Sequence, residues 1–545
     1  MELLKSLILL LAGVGVFIVG MNMMSEGLEK GAGGGLKKLL AKISNNRFLG
    51  VGIGAGTTAI IQSSSATTVM VIGLVNAGVI TLFQAISVIM GANIGTTVTG
   101  LIVALSGQKG AISFSDIAII MAFVGVMMMF VKKDKVKLIG SIICGLGVIF
   151  VGLDIMSGAL DASNNPEITS LFQNLFTAID FPLLLILFGA LFTALIQSSS
   201  AATGIIIVMA GGGIIPVETA LFIVLGTNIG TCVTALLACL GTTTNAKRTA
   251  LIHFTFNLIG TIIFTAILWP TGPWFASLLS GFKTVEMQIA IFHVIFNVTT
   301  TILLIPFVKL LEKLSMFVIK DHKKDEEELH LKFIDDRLLK TPAVALAQAG
   351  KETLRIGQIS MQTLSLSINA FLNKSLDEEE QIKDNIADLE EMNRELLSYL
   401  VKIAALDLSD KDEMMVSKLH EALSDFYREA EIADNMIKYT KSAQEQQLKF
   451  SDHVYNQIKL LDEKLNSQFN NVVSIFENNN KDVIVEVDKL EDEIDAMRNK
   501  MIKQHIDRLE RNECSPASSS VFISLVSNLE RAGDHLAYIA HTMGD

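Results

Sequence analysis

The sequence predicts an all-α, polytopic membrane protein with two inverted repeats, each carrying a re-entrant helical hairpin, followed by a soluble helical-bundle tail. Three observations predict it. Gln-Ser-Ser-Ser-Ala occurs twice inside apolar sequence, at Gln62–Ala66 and Gln197–Ala201. Asn93–Thr99 and Asn228–Thr234 follow the two Gln by 31 residues, so both pairs repeat at an offset of 135. Half of the 545 residues are hydrophobic, and the mean hydropathy is +0.48. Charge is also segregated, with 28 Lys/Arg against 44 Asp/Glu from Lys320 onward and only 16 against 12 before it. The net −12 therefore belongs to the tail. The charge run Lys320–Glu328 suits water and not hydrocarbon, so it marks a boundary. The domains expected are a membrane domain over 1–315 (repeats of about 1–131 and 138–311), a linker over 316–340 and a tail over 341–545.

The apolar runs 3–24, 82–105, 114–131, 138–160, 217–240, 249–269 and 286–311 are each about long enough to cross ~30 Å of hydrocarbon. The first could pass for a leader, but Gly15–Glu29 matches Gly147–Asp161, which makes it part of the repeated fold. The Ser motifs differ. Gly50–Ile61 reaches only ~18 Å as helix, and a similar run follows Ser65, so the pair reads as two half-length arms with a polar tip. Irregular backbone at that depth needs protein or a wet cavity around it. Gly31–Gly35 lacks the residues of a nucleotide loop and reads as a turn.

Loop charges set the orientation. With seven spans and two hairpins, Lys30, Lys37, Lys38, Lys42, Arg47, Lys132, Lys133, Lys135, Lys137, Lys247, Arg248, Lys309 and Lys313 share one side. Only Lys5, Lys109 and Lys283 take the other. The bias puts the protein in the cytoplasmic membrane, the tail in the cytoplasm and the N-terminus outside, with the hairpins entering from opposite faces.

Each tip offers Gln, Ser hydroxyls and a helix start, whose free N–H groups suit an anion. The same hydroxyl, amide and main-chain oxygens suit a hard cation such as sodium. Asn93, Thr96, Asn228 and Thr231 lie in neighbouring spans, where Gly91, Gly95, Gly226 and Gly230 permit an unwound turn. Neither motif contains a charge, so an anion and cations held there must compensate each other. Small polar residues also let membrane helices pack closely, but duplication in half-length segments favours a site. His253/Asn257 and His293/Asn297 share helix faces and read first as interhelical hydrogen-bond partners. Asn22 and its counterpart Asp154 lie towards span ends, where solvation is the default reading and a cavity role the alternative. The four cysteines show no metal or redox spacing. No nucleophile–base pair, nucleotide loop or basic patch points to an enzyme, an organic cofactor or a nucleic-acid partner.

These motifs, with GANIGTT at Gly91–Thr97 and GTNIGTC at Gly226–Cys232, resemble the sodium-dependent phosphate cotransporter family, type II, with its bacterial members. The resemblance covers about 1–315. It implies coupled movement of sodium and inorganic phosphate, with Gln62, Ser63, Ser64, Ser65, Gln197, Ser198, Ser199 and Ser200 lining a central phosphate site. It implies Thr67, Asn93, Thr96, Thr97, Thr203, Asn228 and Thr231 as the corresponding sodium ligands. Rival readings are a carrier of another oxyanion or a dicarboxylate, driven by sodium or protons, and a membrane phosphate sensor without net transport. The tail resembles a PhoU-type domain, with heptad-like Leu389, Met392, Leu396 and Leu400 and a weak repeat of about 100 residues. The family's acidic metal motif stands at Glu530 and Asp534, whereas the first copy has Ala430; a solvated acidic face is the simpler reading. Lipid surrounds the membrane domain, and the tail is a surface for self-association or a regulatory partner.

Overall fold

In a computed structural model the chain is described throughout except at Met1, Ala41, 108–113, 161–164, Asp180, 321–330, Asn479, 512–513 and Asp545. Lys109 and the charge run at 321–328 lie outside the described residues. The described residues are mostly helical, with no strand among them. They fall into two compact units, Met1–Glu327 and Glu328–Asp545.

The first unit contains α1 (Glu2–Leu40), α2 (Arg47–Ile61), α3 (Ser64–Asn76), α4 (Leu82–Ala104), α5 (Phe114–Met129), α6 (Asp134–Leu160) and α7 (Pro166–Ala178). It continues with α8 (Pro182–Ile196), α9 (Ser199–Gly211), α10 (Val217–Ala238), α11 (Thr244–Leu279), α12 (Val285–Leu304) and α13 (Val308–Val318). Six stretches are long and apolar enough to cross a membrane: Leu4–Ala32, Leu82–Ala104, Asp134–Leu160, Val217–Ala238, Thr244–Leu279 and Val285–Val318. The run expected as a further span at 114–131 is the shorter α5, of 16 residues. It packs on α6, where a Cβ on Gly125 would lie 2.4 Å from the Cys144 nitrogen.

Two other expectations fail on helix ends. The glycine run Gly31–Gly35 lies within α1 and is no turn. The span expected to stop at 269 continues through Pro270 and Pro273 to Leu279. Glycine and proline only penalise a helix, and neighbours in a membrane can supply the difference.

Glycines set the close packing, and the two halves use them alike. α2 and α4 run parallel in contact. A Cβ on Gly54 would lie 1.9 Å from the Val88 oxygen, one on Gly91 2.0 Å from that of Val51, and one on Gly95 2.6 Å from that of Ala55. The second half repeats this pairing in α8 and α10, with Gly189 at 2.1 Å from the Ile223 oxygen, Gly226 at 2.0 Å from Ile186 and Gly230 at 2.3 Å from Ala190. The matched glycines therefore serve backbone contact; α4 and α10 are continuous there, and the expected unwound turn is not formed. α1 and α6, which carry the matched segments, run antiparallel. Phe17 meets Gly152, Gly20 meets Ile149, Met24 meets Gly145, and Gly27 meets Ile142.

The second unit holds α14 (Pro342–Asn373), α15 (Glu379–Ala404), α16 (Asp410–Glu445), α17 (Asp452–Asn478), α18 (Ile484–Glu510) and α19 (Pro516–Gly544). Leu364, Phe426, Leu465 and Leu525 are among the residues of its buried core. Gly357 makes room for the Phe426 ring, since a Cβ there would come within 2.6 Å of it. Buried Glu352 accepts hydrogen bonds from the Lys332 and Phe333 backbone nitrogens at 2.9 and 2.5 Å, which ties the entering chain to α14.

Replacing Gly91 or Gly226 by Ala should lower thermal stability in detergent by on the order of 3 kcal/mol, because backbone must move to admit the methyl group. Gly52→Ala, in open space, should be neutral or slightly stabilising. Equal melting of all three variants would contradict this packing.

Candidate functional site

Each Gln-Ser-Ser-Ser motif stops one helix and starts the next within three residues, and the two copies do so alike. Gln62 and Gln197 end α2 and α8 in the left-handed region, both at φ 57°. Their backbone N–H groups donate to Thr58 O and Thr193 O at 2.7 Å. Ser63 and Ser198 then cap α3 and α9, their hydroxyls accepting from Ala66 N at 3.1 Å and Ala201 N at 3.2 Å. Glycine would take that left-handed turn without steric cost, whereas Gln spends roughly 1–2 kcal/mol on it. At Gln62 the side chain explains the choice. Its Oε1 accepts from Thr99 at 2.8 Å and its Nε2 donates to Ala59 O at 2.5 Å. Strain of this kind collects where function needs a particular side chain.

Both tips open into one cavity of about 300 Å³. Gln62, Ser63, Ser64, Ser65, Gln197, Ser198, Ser199 and Ser200 all line it, so the structure brings together the eight residues expected there. The volume equals that of roughly ten waters, room for a small oxyanion with part of its hydration. No charged side chain is among the described lining residues; helix starts such as those of α3 and α9 carry partial positive charge. α1 supplies part of the wall through Ile18, Met21, Asn22 and Ser25. The Ser25 hydroxyl also donates to Ile61 O beside the first tip. For Asn22 the structure favours the cavity role over the solvation that its position near a span end makes the default. Its signal was present in the match of its segment to 147–161, but span position alone could not say which face meets a cavity.

The second residue set stays apart from this lining. Asn93 and Asn228 donate to Ile89 O and Val224 O within their own helices, both at 3.0 Å. Thr96, Thr97 and Thr231 likewise donate to Ala92 O, Ile94 O and Thr227 O, at 3.1, 2.7 and 3.0 Å. Thr67 donates to Ser63 O and accepts from Thr58, and Thr203 pairs with Thr227 at 3.2 Å. Each hydroxyl spends its proton on protein and keeps lone pairs for another partner. The buried His–Asn pairs work largely within helices, Asn257 and Asn297 donating to the His253 and His293 carbonyls at 3.0 Å. Across helices, His293 reaches Asn228 at 3.5 Å and Asn257 reaches the Cys232 sulfur at 3.4 Å.

In the tail, Glu530 and Asp534 on α19 meet Asp495 on α18, their ligand atoms all within 4.8 Å of one another. Sequence reading missed Asp495, because the packing of α18 on α19 brings it in. Burial, followed by the neighbouring acids, raises the carboxyls of Glu530 and Asp534 above their ordinary values. Such a group of oxygens suits a divalent cation. The first copy has Arg394 and Ala430 at the positions of Asp495 and Glu530, and its Asp434 pairs with Lys438 at 2.6 Å.

Apolar spans around a duplicated, uncharged polar cavity define a membrane transport protein with a fused helical bundle. A family model described as Na+/Pi-cotransporter matches residues 16–158 and 166–310, and one described as PhoU domain matches 458–543. The chain belongs to the Na+/Pi-cotransporter family, a phosphate-transport family, and carries a PhoU domain at its C-terminal end. It is 25% identical over 550 residues, 99% of this chain and 97% of the relative, to the "Putative inorganic phosphate export protein YjbB" of Escherichia coli (strain K12). It is 33% identical over 308 residues, 56% of this chain and 95% of the relative, to "Uncharacterized protein YqeW" of Bacillus subtilis (strain 168). A shorter stretch of 101 residues, 18% of this chain and 15% of the relative, is 38% identical to "Sodium-dependent phosphate transport protein 2B" of Homo sapiens. No solved structure matches the chain.

Gln197→Gly should relieve the left-handed strain, so melting in detergent should stay level or rise by about 1 kcal/mol while phosphate flux falls. A flux equal to that of the parent would show that the side chain is dispensable. The raised carboxyls of Glu530 and Asp534 bind protons more tightly folded than unfolded, which supports folding at acid pH and is lost as pH climbs through their raised range. Amide-exchange protection of α19 should therefore fall as pH rises out of the acid range, and Asp495→Asn should flatten that fall. An unchanged slope in the variant would contradict the mutual repulsion.

Proposed function

We propose that the chain couples movement of inorganic phosphate to sodium across the cytoplasmic membrane by alternating access. Phosphate sits at the paired tips, held by the Ser63–Ser65 and Ser198–Ser200 hydroxyls, by Gln62 and Gln197, and by the free N–H groups that start α3 and α9. The observation that carries this reading is the single cavity lined by both tips, with dipoles and no fixed charge. A dianion entering it needs cations close by, and the lone pairs of Thr67, Asn93, Thr96, Thr97, Thr203, Asn228 and Thr231 are oxygen donors of the kind sodium prefers. The relatives' names support the substrate and, for the human protein, the ion.

The antiparallel pairing of the matched helices α1 and α6, together with the loop charges, supports inverted repeats whose hairpins enter from opposite faces. Movement of the hairpin-bearing bundle against the remaining helices would then expose the site to each side in turn. The tail lies in the cytoplasm, and Asp495, Glu530 and Asp534 there bind a divalent cation.

The purified chain in liposomes should accumulate labelled phosphate when sodium is supplied as a gradient and not when potassium replaces it. Ser64→Ala and Ser199→Ala should each lower that uptake at least tenfold, on the order of 1.4 kcal/mol or more per lost donor. Sodium-independent flux, or full flux in both variants, would overturn the assignment.

A further inference from the structure

We infer that Asn22 and Asp154 occupy equivalent places beside the phosphate in the two facing states, and that the carboxylate weakens phosphate binding on its own side. The inference rests on the alternating-access reading above. Its first support is the cavity wall, which takes Ile18, Met21, Asn22 and Ser25 from α1. The match of 15–29 to 147–161 makes Phe150, Leu153, Asp154 and Ser157 on α6 their counterparts, and none of these lines the cavity. One repeat thus presents its stripe to the site while the other does not.

The second support is the register of α1 on α6. Phe17 faces Gly152, Gly20 faces Ile149 and Met24 faces Gly145, so equivalent residues cross between 18 and 19 on α1 and between 150 and 151 on α6. Asn22 and Asp154 therefore lie equally far beyond the crossing, roughly 5 Å along helices that run in opposite directions. The cavity follows α1 from the crossing toward its C-terminal half. When the repeats exchange conformations, the same arithmetic brings the C-terminal half of α6 to the tips from the other side of the membrane.

The two positions differ in chemistry. The Asn22 amide donates to an anion, whereas an ionised Asp154 offers only acceptors and a like charge. Loop charges put the Lys30 end of α1 in the cytoplasm, so the carboxylate belongs to the outward-facing cavity. Phosphate is then held more tightly from the cytoplasmic side than from outside. The difference alters the concentration at which each face saturates; the equilibrium gradient stays with the coupled ions.

The test uses full-length protein in liposomes, with orientation read from protease access to the tail and equal sodium on both sides. Half-saturating phosphate is measured for flux from the tail side and from the opposite side. In the parent the opposite side should need more phosphate. Asp154→Asn should lower that requirement by about threefold, and Asn22→Asp should raise the tail-side requirement by a similar factor. Asp154→Ser, which removes the charge with a smaller side chain, should shift the same way if Asp154→Asn expresses poorly. An unchanged value in the charge-removal variants overturns the proposal. So does an increase, which would mean that the carboxylate holds a cation or accepts from a protonated phosphate oxygen. If Ser64→Ala abolishes flux while Asp154→Asn shifts nothing, this proposal alone fails; a parent without flux overturns the transport reading with it.

Discussion

A helix that stops inside hydrocarbon strands its last carbonyls and leaves the next helix with free amides, each costing several kcal/mol if nothing meets it. The first unit stops a helix within apolar sequence twice, at the ends of α2 and α8, and on the re-entrant reading proposed above the rest of it depends on meeting that demand. Ser63 and Ser198 cap the new helices, and Gln62 and Gln197 bend the chain through the left-handed region to reach them. The arms α2 and α8 lie against α4 and α10 at backbone contact, which only glycine at positions 54, 91, 189 and 226 allows. The residues that start α3 and α9 line one shared cavity. Groups that would be a liability against lipid are there available to an anion.

The site uses no arginine or lysine, and this governs its energetics. A fixed positive charge would hold phosphate in the absence of any cation. On the proposed coupling, neutral dipoles would give a modest affinity that nearby cations raise, so that anion and cation favour each other's binding. The repeat makes such a site easy to build, since one capped tip on each side is enough. Departures from the repeat, such as Asn22 against Asp154 or Thr97 against Cys232, are where the two faces would acquire different properties on the alternating-access reading proposed above.

Much of this was legible in the residues because polar sequence is costly in hydrocarbon and therefore informative there. The duplicated tips and their half-length arms follow from QSSSA and the run lengths around it, and their shared site from the family resemblance those motifs carry. Features set by tertiary packing were less legible. Gly91 and Gly226 could as well have marked unwound turns, and only the neighbouring backbone shows that they are contact points. α1 passes through Gly31–Gly35 and α11 through Pro270 and Pro273, because propensity is a weak term beside burial. Asn22 belongs to the cavity through the azimuth of α1, which hydropathy does not encode. In the tail, Glu530 and Asp534 announce themselves by spacing, but Asp495 reaches them across two packed helices.

The central claim is that both tips meet in one water-accessible space. Cysteines placed at Ser65 and Ser200, in a chain freed of its native cysteines, should cross-link with a short bifunctional reagent in native membranes. The link should stop phosphate flux, and a reducible linker should restore flux when cut. Failure to cross-link with reagents of any short length, while each cysteine reacts with lipid-dissolved probes alone, would contradict the account.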